Sequence, residues 1–411
     1  MIDIGQGGDV IAPELKKITP EMLKNDRGLD IDRLFEDYVF VDRTIGYAIV
    51  KQSNLDKVIG ITPAGMPRDD ASTYVNWAAN VVPPRVRVRL APPAPAPWYV
   101  AYQGAWPRLR GKNSHVAVFD SGVLHGLLRL PRKQNHSDFC ACEAPNVSTN
   151  DSSSVLHGTL CAGAIGAQDN GGNRTSPAPE ATIIAARIYR YEPTLYISLV
   201  DILLMLSWVV ANDCVPAIVN MSFVLDNDEV ERHSKDVLDK ILKRLRDGNL
   251  ALIFASTELH DARTLSYPGK LHAVVAIGAY EGLLDDKGNF YIELPLGCDR
   301  DAWRNKSDLF FGPANGVLTC DDRQSTTASY GEVSAACAFA AGVAALYLEQ
   351  RRTNHGNANL LNEVVVEMKQ HALRLPDPKI RHDWLAVGTD PSALPRHNAN
   401  VTISVPCDPS L

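Results

Sequence analysis

The sequence predicts an α/β protein in which a mostly parallel sheet flanked by helices follows a small α/β N-terminal domain. Three observations carry this. Beyond residue 97, short runs of consecutive apolar residues follow one another, and a strand that is apolar on both faces belongs in a parallel sheet covered on both sides. Stretches with helical period separate these runs, and strand–helix alternation is the pattern of right-handed βαβ crossovers. Ala91-Pro-Pro-Ala-Pro-Ala-Pro97 divides the two regions; its prolines fix extended backbone and remove donors, as in a semi-rigid linker.

In chain order, residues 1–90 form the small domain, 91–97 the linker, 98–390 the large domain and 391–411 a C-terminal tail. Within the first, Pro20 to Leu34 reads as a helix, Tyr38-Val-Phe-Val-Asp42 and Tyr47-Ala-Ile-Val50 as strands, and Leu55 to Ile59 as a turn or short helix. The large domain offers five continuous apolar strands: His115 to Phe119, Ala181 to Ala186, Ala217 to Met221, Leu250 to Phe254 and Ala273 to Ile277. Leu195 to Ala211 and Glu229 to Arg246 have helical period, and Gly248 stands just past the second as a C-cap.

Composition agrees with this class and removes others. The 411 residues are 45% hydrophobic and 22% charged, an ordinary globular mixture that excludes bulk disorder. The net charge of −7 leaves no basic stripe to neutralise phosphates, so no nucleic-acid partner is expected. Arg85 to Arg89 is the most basic stretch, and its alternation with valine reads as an exposed strand. Ile197 to Ala211, the most apolar run, is interrupted by Asp201 and too short to cross a bilayer. No membrane span is expected there. The N-terminus shows neither a basic n-region nor an apolar h-region, so no signal peptide is expected and the compartment stays open. Eight cysteines are far too few for a disulfide scaffold, and Cys140-Ala-Cys142 lacks a second pair at zinc spacing.

Three strings carry polar groups suited to chemistry. The first is Val116-Ala-Val-Phe-Asp120-Ser-Gly122, a buried strand ending in aspartate. The second is His157-Gly-Thr-Leu-Cys-Ala-Gly163, a histidine heading a small-residue helix. The third is Ser334 at the head of the alanine-rich stretch to Leu346. Singly, each has a plain structural reading: a turn aspartate, a helix start, an N-cap serine. Jointly, Asp, His and Ser in that order in an α/β chain give one of the orders in which nucleophilic triads occur.

With these strings the chain resembles the subtilisin-like serine proteases. Asp120 matches the family's D-[ST]-G string, His157 its H-G-T-x-x-A-G string, and Ser334 the serine of G-T-S-x-A-x-P. Further support lies in His136-Ser-Asp138-Phe, in Val219-Asn-Met-Ser222, and in Ser266-Tyr-Pro-Gly-Lys270 running on to Ala279. The wording around His157 and after Ala340 leans slightly towards the kexin-like branch. The resemblance spans about residues 98–350. It implies a peptide-bond hydrolase without a required cofactor, acting on peptide or protein substrates. Ser334 would be the nucleophile, His157 the general base and Asp120 the group that orients it. It also implies calcium as a structural ion near Asp138, an oxygen-ligand position. Residues 46–60 are similar to part of the family's inhibitory propeptide, so the N-terminal domain is expected to be either an intramolecular inhibitor, released by cleavage between about Pro83 and Pro97, or an unrelated interaction module. Cys161 and Cys337 read as buried packing residues.

The chain also departs from the family pattern. Glu332-Val333 stands where Gly-Thr precedes the serine, Ala338 replaces a proline, and Phe339 replaces a common histidine. The substrate-pairing strand reads Ser222-Phe223-Val224, and the Cβ of Val224 narrows or reshapes the cleft that a glycine would leave open. The oxyanion asparagine of A-[AS]-G-N meets Phe254-Ala255-Ser256-Thr257-Glu258. One alignment puts Glu258 there, another Thr257. A threonine hydroxyl can donate to an oxyanion, whereas a carboxylate repels it. Together these departures also describe a catalytically impaired subtilase-fold protein serving as a peptide- or partner-binding module. An ester-cleaving α/β hydrolase would need a G-x-S-x-G elbow and a histidine after its serine, and neither arrangement occurs.

Overall fold

The computed structural model describes residues 16–18, 38–43, 46–51, 72–74, 108–123, 157–169, 174–191, 195–198, 202, 205, 206, 209, 216–225, 230, 235–257, 259–261, 264–284, 290–293, 306–320, 328–355, 359–376, 383–387 and 402–404. The apolar runs form one central sheet. Strands β1 (His115–Asp120), β2 (Thr182–Arg187), β3 (Ala217–Met221), β4 (Ala251–Ser256), β5 (Val275–Leu284) and β6 (Leu309–Pro313) lie parallel in the order 2-1-3-4-5-6. Two further strands, β7 (Leu373–Pro376) and β8 (Asp383–Ala386), extend the β6 edge, β8 parallel to β6 and β7 antiparallel to β8. Val116 to Phe119, Ile218, Val219 and Leu252 to Ala255 are at most 1% exposed, the burial on both faces that continuous apolar strands require.

The described helices are α1 (His157–Gly166), α2 (Lys235–Asp247), α3 (Glu332–His355) and α4 (Leu360–His371). The spine is α3. Residues 332–353 are long and apolar enough to cross a membrane, but 78% of the apolar window is buried inside this fold, which makes α3 a core helix. Its alanines let other backbone come close: a Cβ on Gly342 would lie 2.8 Å from the carbonyl oxygen of Ile165 in α1. Near its other end, Glu349 Oε2 accepts the backbone N–H groups of Arg110, Gly111 and Lys112 at 2.8, 2.7 and 3.1 Å, which ties the incoming chain to the helix.

Strand order fixes where a site can form. From β1 the chain passes to β2 on one side, then returns to place β3 on the other side of β1. Connections leaving β1 and β3 therefore diverge, and a crevice opens at the carboxyl ends of these strands, where open α/β sheets bind ligands.

Some expected elements differ. Leu195–Ser198 is a strand and not the start of a helix; it pairs antiparallel with Tyr189–Tyr191 and with Ser72–Tyr74. Aromatic and β-branched residues on either side of Pro193 favour such pairing over helical period. The helical part is confined to later positions, where Ile202, Met205, Leu206 and Val209 are buried at i, i+3, i+4 and i+7. At the end of α2 the left-handed residue is Asn249 (φ 55°), not Gly248. The Leu250 and Asn249 N–H groups donate to the carbonyls of Leu245 and Arg246 at 2.8 and 3.0 Å, a Schellman closure with asparagine in the left-handed place. In the N-terminal region, Lys16–Ile18, Tyr38–Arg43 and Gly46–Lys51 form an antiparallel sheet. Thr402–Ser404 in the tail pairs parallel with Phe290–Glu293. The expected segments 20–34, 55–59 and 91–97 lie outside the described residues.

Candidate active site

Asp120 closes β1 at the crevice and is fully buried. One of its oxygens accepts the backbone N–H of Ser121 at 2.7 Å. His157 is the first residue of α1, and its Nδ1 lies 2.8 and 2.9 Å from the two carboxylate oxygens. An ionised carboxylate only accepts, so Nδ1 carries the proton and Nε2 is left as the basic nitrogen. Local sequence makes this approach possible. Gly158 donates its N–H to Ser121 Oγ at 3.1 Å, and a Cβ on it would fall 2.1 Å from the Gly122 carbonyl oxygen. Only glycine lets the head of α1 sit this close to β1.

Burial by itself pushes the His157 imidazole down. The Asp120 charge, aided by Cys161, more than offsets this and holds it well above the ordinary 6.5. Cys161 Sγ lies 3.8 Å from Nδ1. Asp120, His157 and Cys161 form a group whose ligand atoms are close enough to hold a metal ion. Nδ1 is already committed to the carboxylate, however, and the set lacks the oxygen cage that calcium takes. Cys337, one turn beyond Ser334, is fully buried, and burial pushes its thiol up to about 12. Both cysteines are packing residues, as the sequence suggests.

Ser334 sits in the first turn of α3 and is half-buried. This turn is stitched to the ends of β3 and β4. Ser334 Oγ donates to the Ser222 carbonyl at 3.1 Å, and Ser222 Oγ lies 3.1 Å from the Ser334 carbonyl. Ser256 Oγ donates to the Val333 carbonyl at 3.4 Å, and the Glu332 N–H donates to Ala314 at 2.6 Å. Glu332 itself adopts φ 68°, the left-handed region. Asp120 and His157 are thus joined directly, while the hydroxyl proton of Ser334 is held by Ser222.

After Ser222, Phe223 is buried and Val224 half-exposed, and the Leu225 N–H donates to the Tyr267 carbonyl at 2.7 Å. Thr257 follows β4. It is 2% exposed, its N–H donates to the Ile277 carbonyl, and its Oγ1 is buried with no hydrogen-bond partner among the described residues. Glu258 and Asp138 lie outside the described residues. Asn220, which the sequence presents only within the Val219-Asn-Met-Ser222 string and with no site role, is fully buried in β3 with Oδ1 3.0 Å from Ser222 Oγ. A polar side chain inside the apolar run Ala217 to Met221 was the available signal.

The model of the subtilase family matches residues 111–374, more than half of the chain, and this span includes Asp120, His157, Ser222, Thr257 and Ser334. The minor extracellular protease Epr of Bacillus subtilis is 31% identical over 179 residues, which is 43% of this chain and 25% of that protein. The match spans only a quarter of that relative's length. Among solved structures, MycP1 from Mycobacterium smegmatis has TM-score 0.51 at 15% identity, with 78% of this chain and 88% of that one covered. Fervidolysin from Fervidobacterium pennivorans, described as a keratinolytic enzyme related to subtilisin, has TM-score 0.48 at 18% identity and covers 68% and 42%. The likeness to MycP1 is one of fold.

Proposed function

The chain belongs to the subtilase family, and from this premise we propose that it is a serine endopeptidase acting through Asp120, His157 and Ser334. The observation that supports the reading most is the buried Asp120 carboxylate with both oxygens within 2.9 Å of His157 Nδ1, at the switch point of a parallel sheet. In the neutral imidazole that pairing keeps the proton on Nδ1, so Nε2 is the nitrogen that acts as general base.

In the proposed reaction the Ser334 hydroxyl turns from the Ser222 carbonyl towards His157. Oγ attacks the scissile carbonyl carbon as Nε2 takes its proton, and Asp120 stabilises the imidazolium that forms. His157 returns the proton to the leaving amine. Water then opens the acyl-enzyme, with the same imidazole as base. The Thr257 hydroxyl and the N-terminal end of α3 are proposed to meet the oxyanion. Ser222, Phe223 and Val224 flank the substrate strand. No cofactor enters these steps. Residues 1–90 are proposed to inhibit the cleft until cut between about Pro83 and Pro97, in exposed proline-rich chain.

The test is labelling by a fluorophosphonate probe, before and after limited proteolysis in the 83–97 stretch. Wild type should label and Ser334→Ala should not. A folded protein that labels in neither form would sink the peptidase reading.

A further inference from the structure

We infer that Asn220 and Ser222 form a hydrogen-bond relay that positions Ser334, a role for Ser222 beyond lining the substrate strand and one that rests on the peptidase reading. The hydroxyl of Ser222 has one hydrogen, yet two acceptors surround it: Asn220 Oδ1 at 3.0 Å and the Ser334 carbonyl at 3.1 Å. At the same time the other end of the Asn220 amide, Nδ2, is buried without a hydrogen-bond partner among the described residues. A half-turn of this amide removes the competition for the Ser222 hydrogen without moving another atom, because its oxygen and nitrogen are equivalent in shape. Nδ2 then donates to Ser222 Oγ, and the single hydroxyl hydrogen of Ser222 is free for the Ser334 carbonyl. The unpartnered end of the amide is then its oxygen, and an unmade buried acceptor is tolerated better than an unmade donor.

The chain of donors so formed runs Asn220 Nδ2–H to Ser222 Oγ–H to the Ser334 carbonyl, while Ser334 Oγ–H returns to the Ser222 carbonyl. The two serines exchange side chain–backbone bonds, and this exchange pins the first turn of α3 to the end of β3. Asn220 is anchored deep in the sheet, level with Val118 of β1 and Phe254 of β4. The relay therefore references the nucleophile's backbone to the same strand, β1, that carries Asp120. The side chains of Asn220 and Ser222 are positioning groups in this scheme: they act on Ser334 through its carbonyl and not on its hydroxyl.

Inactivation kinetics with the fluorophosphonate probe, on the protein before and after cleavage in the 83–97 stretch, separate probe binding (KI) from acylation (kinact). Ser222→Ala should lower kinact by about 10- to 100-fold, the cost of a misplaced nucleophile, and leave KI nearly unchanged. Ser222→Thr, which keeps the hydroxyl, should restore most of the loss. Asn220→Asp keeps the shape but removes the donor, so it should behave like Ser222→Ala, and the double variant should be no worse than either single one. If Asn220→Asp does not fold, the Ser222 pair still decides. A Ser222→Ala protein that melts lower yet acylates at the wild-type kinact has lost only a structural contact and overturns the relay. Strictly additive losses in the double variant overturn it too. A wild type that never labels overturns the peptidase reading itself, and the relay with it, which distinguishes the two failures.

Discussion

His157 and Thr257 are the residues whose environments speak most directly to chemistry. A general base must be neutral to accept a proton. Burial opposes the imidazolium, but Asp120 and Cys161 hold the imidazole well above 6.5, so the inactive protonated form persists to higher pH. The acid limb of kinact/KI for the fluorophosphonate should therefore rise through a midpoint above the ordinary histidine value, and Asp120→Asn should move that midpoint down while slowing acylation by about 10,000-fold. A midpoint at or below 6.5 would contradict the pairing. Thr257 presents a buried hydroxyl without a hydrogen-bond partner among the described residues, and such a donor is costly unless an acceptor arrives during the reaction. Thr257→Val keeps the shape and should lower turnover by about 100- to 1,000-fold, a cost known for an oxyanion donor of this family. Unchanged turnover removes Thr257 from the oxyanion site. The sequence named Thr257 and Glu258 as alternatives: the gapless match puts Glu258 at the asparagine and a one-residue shift puts Thr257 there. The hydroxyl's burial became visible only in the folded chain.

At the scale of the element, α3 shows both what a motif conveys and what it hides. The run of small residues after Ser334 announces a closely packed helix, and Ala335 to Ala341 are fully buried. That Glu332 stands in the left-handed region at φ 68° is not legible from its own identity, since a non-glycine residue rarely accepts that backbone. Glu332→Gly should relieve about 1 kcal/mol of strain and raise Tm by about 2–4 °C in a domain of this size, read by thermal melting. A lower Tm would show that the contacts of the Glu332 side chain outweigh the strain. The same lesson holds at the end of α2. Gly248 is the residue that sequence rules choose for the cap, but the left-handed conformation falls on Asn249, because helix length decides which residue reaches that place.

At the scale of the whole molecule, the edge of the sheet opposite the crevice is held by buried charge. Asp308, just before β6, accepts Arg246 of α2 and Lys369 of α4, each at 2.6 Å. Nearby, the Lys306 ammonium donates to the Leu271 carbonyl. Burial, only partly offset by Asp308, lowers Lys306 from 10.5 to about 8. Between these values the unfolded chain holds more protons than the folded one, so this group makes stability rise with pH across that window. Lys306→Met should remove that gain, on the order of 2 kcal/mol from pH 8 to 10, in urea melts of both proteins. Equal pH slopes would show that Lys306 is not the responsible group. Class, five of the central sheet's strands and the Asp, His and Ser strings were legible in the sequence by itself, because apolar period and motif spelling are local properties, whereas the edge strands from Leu309–Pro313 onward were not expected. Strand order is not local. Asp120 and His157 are 37 residues apart, and they meet because the head of α1 packs against the end of β1 at Ser121 and Gly122. The left-handed Glu332, the hold of Ser222 on the Ser334 hydroxyl and the place of Asn220 beneath them arise from packing between distant segments. Only the tertiary structure decides such packing, since burial and hydrogen-bond partners are fixed by which surfaces the closed chain brings into contact.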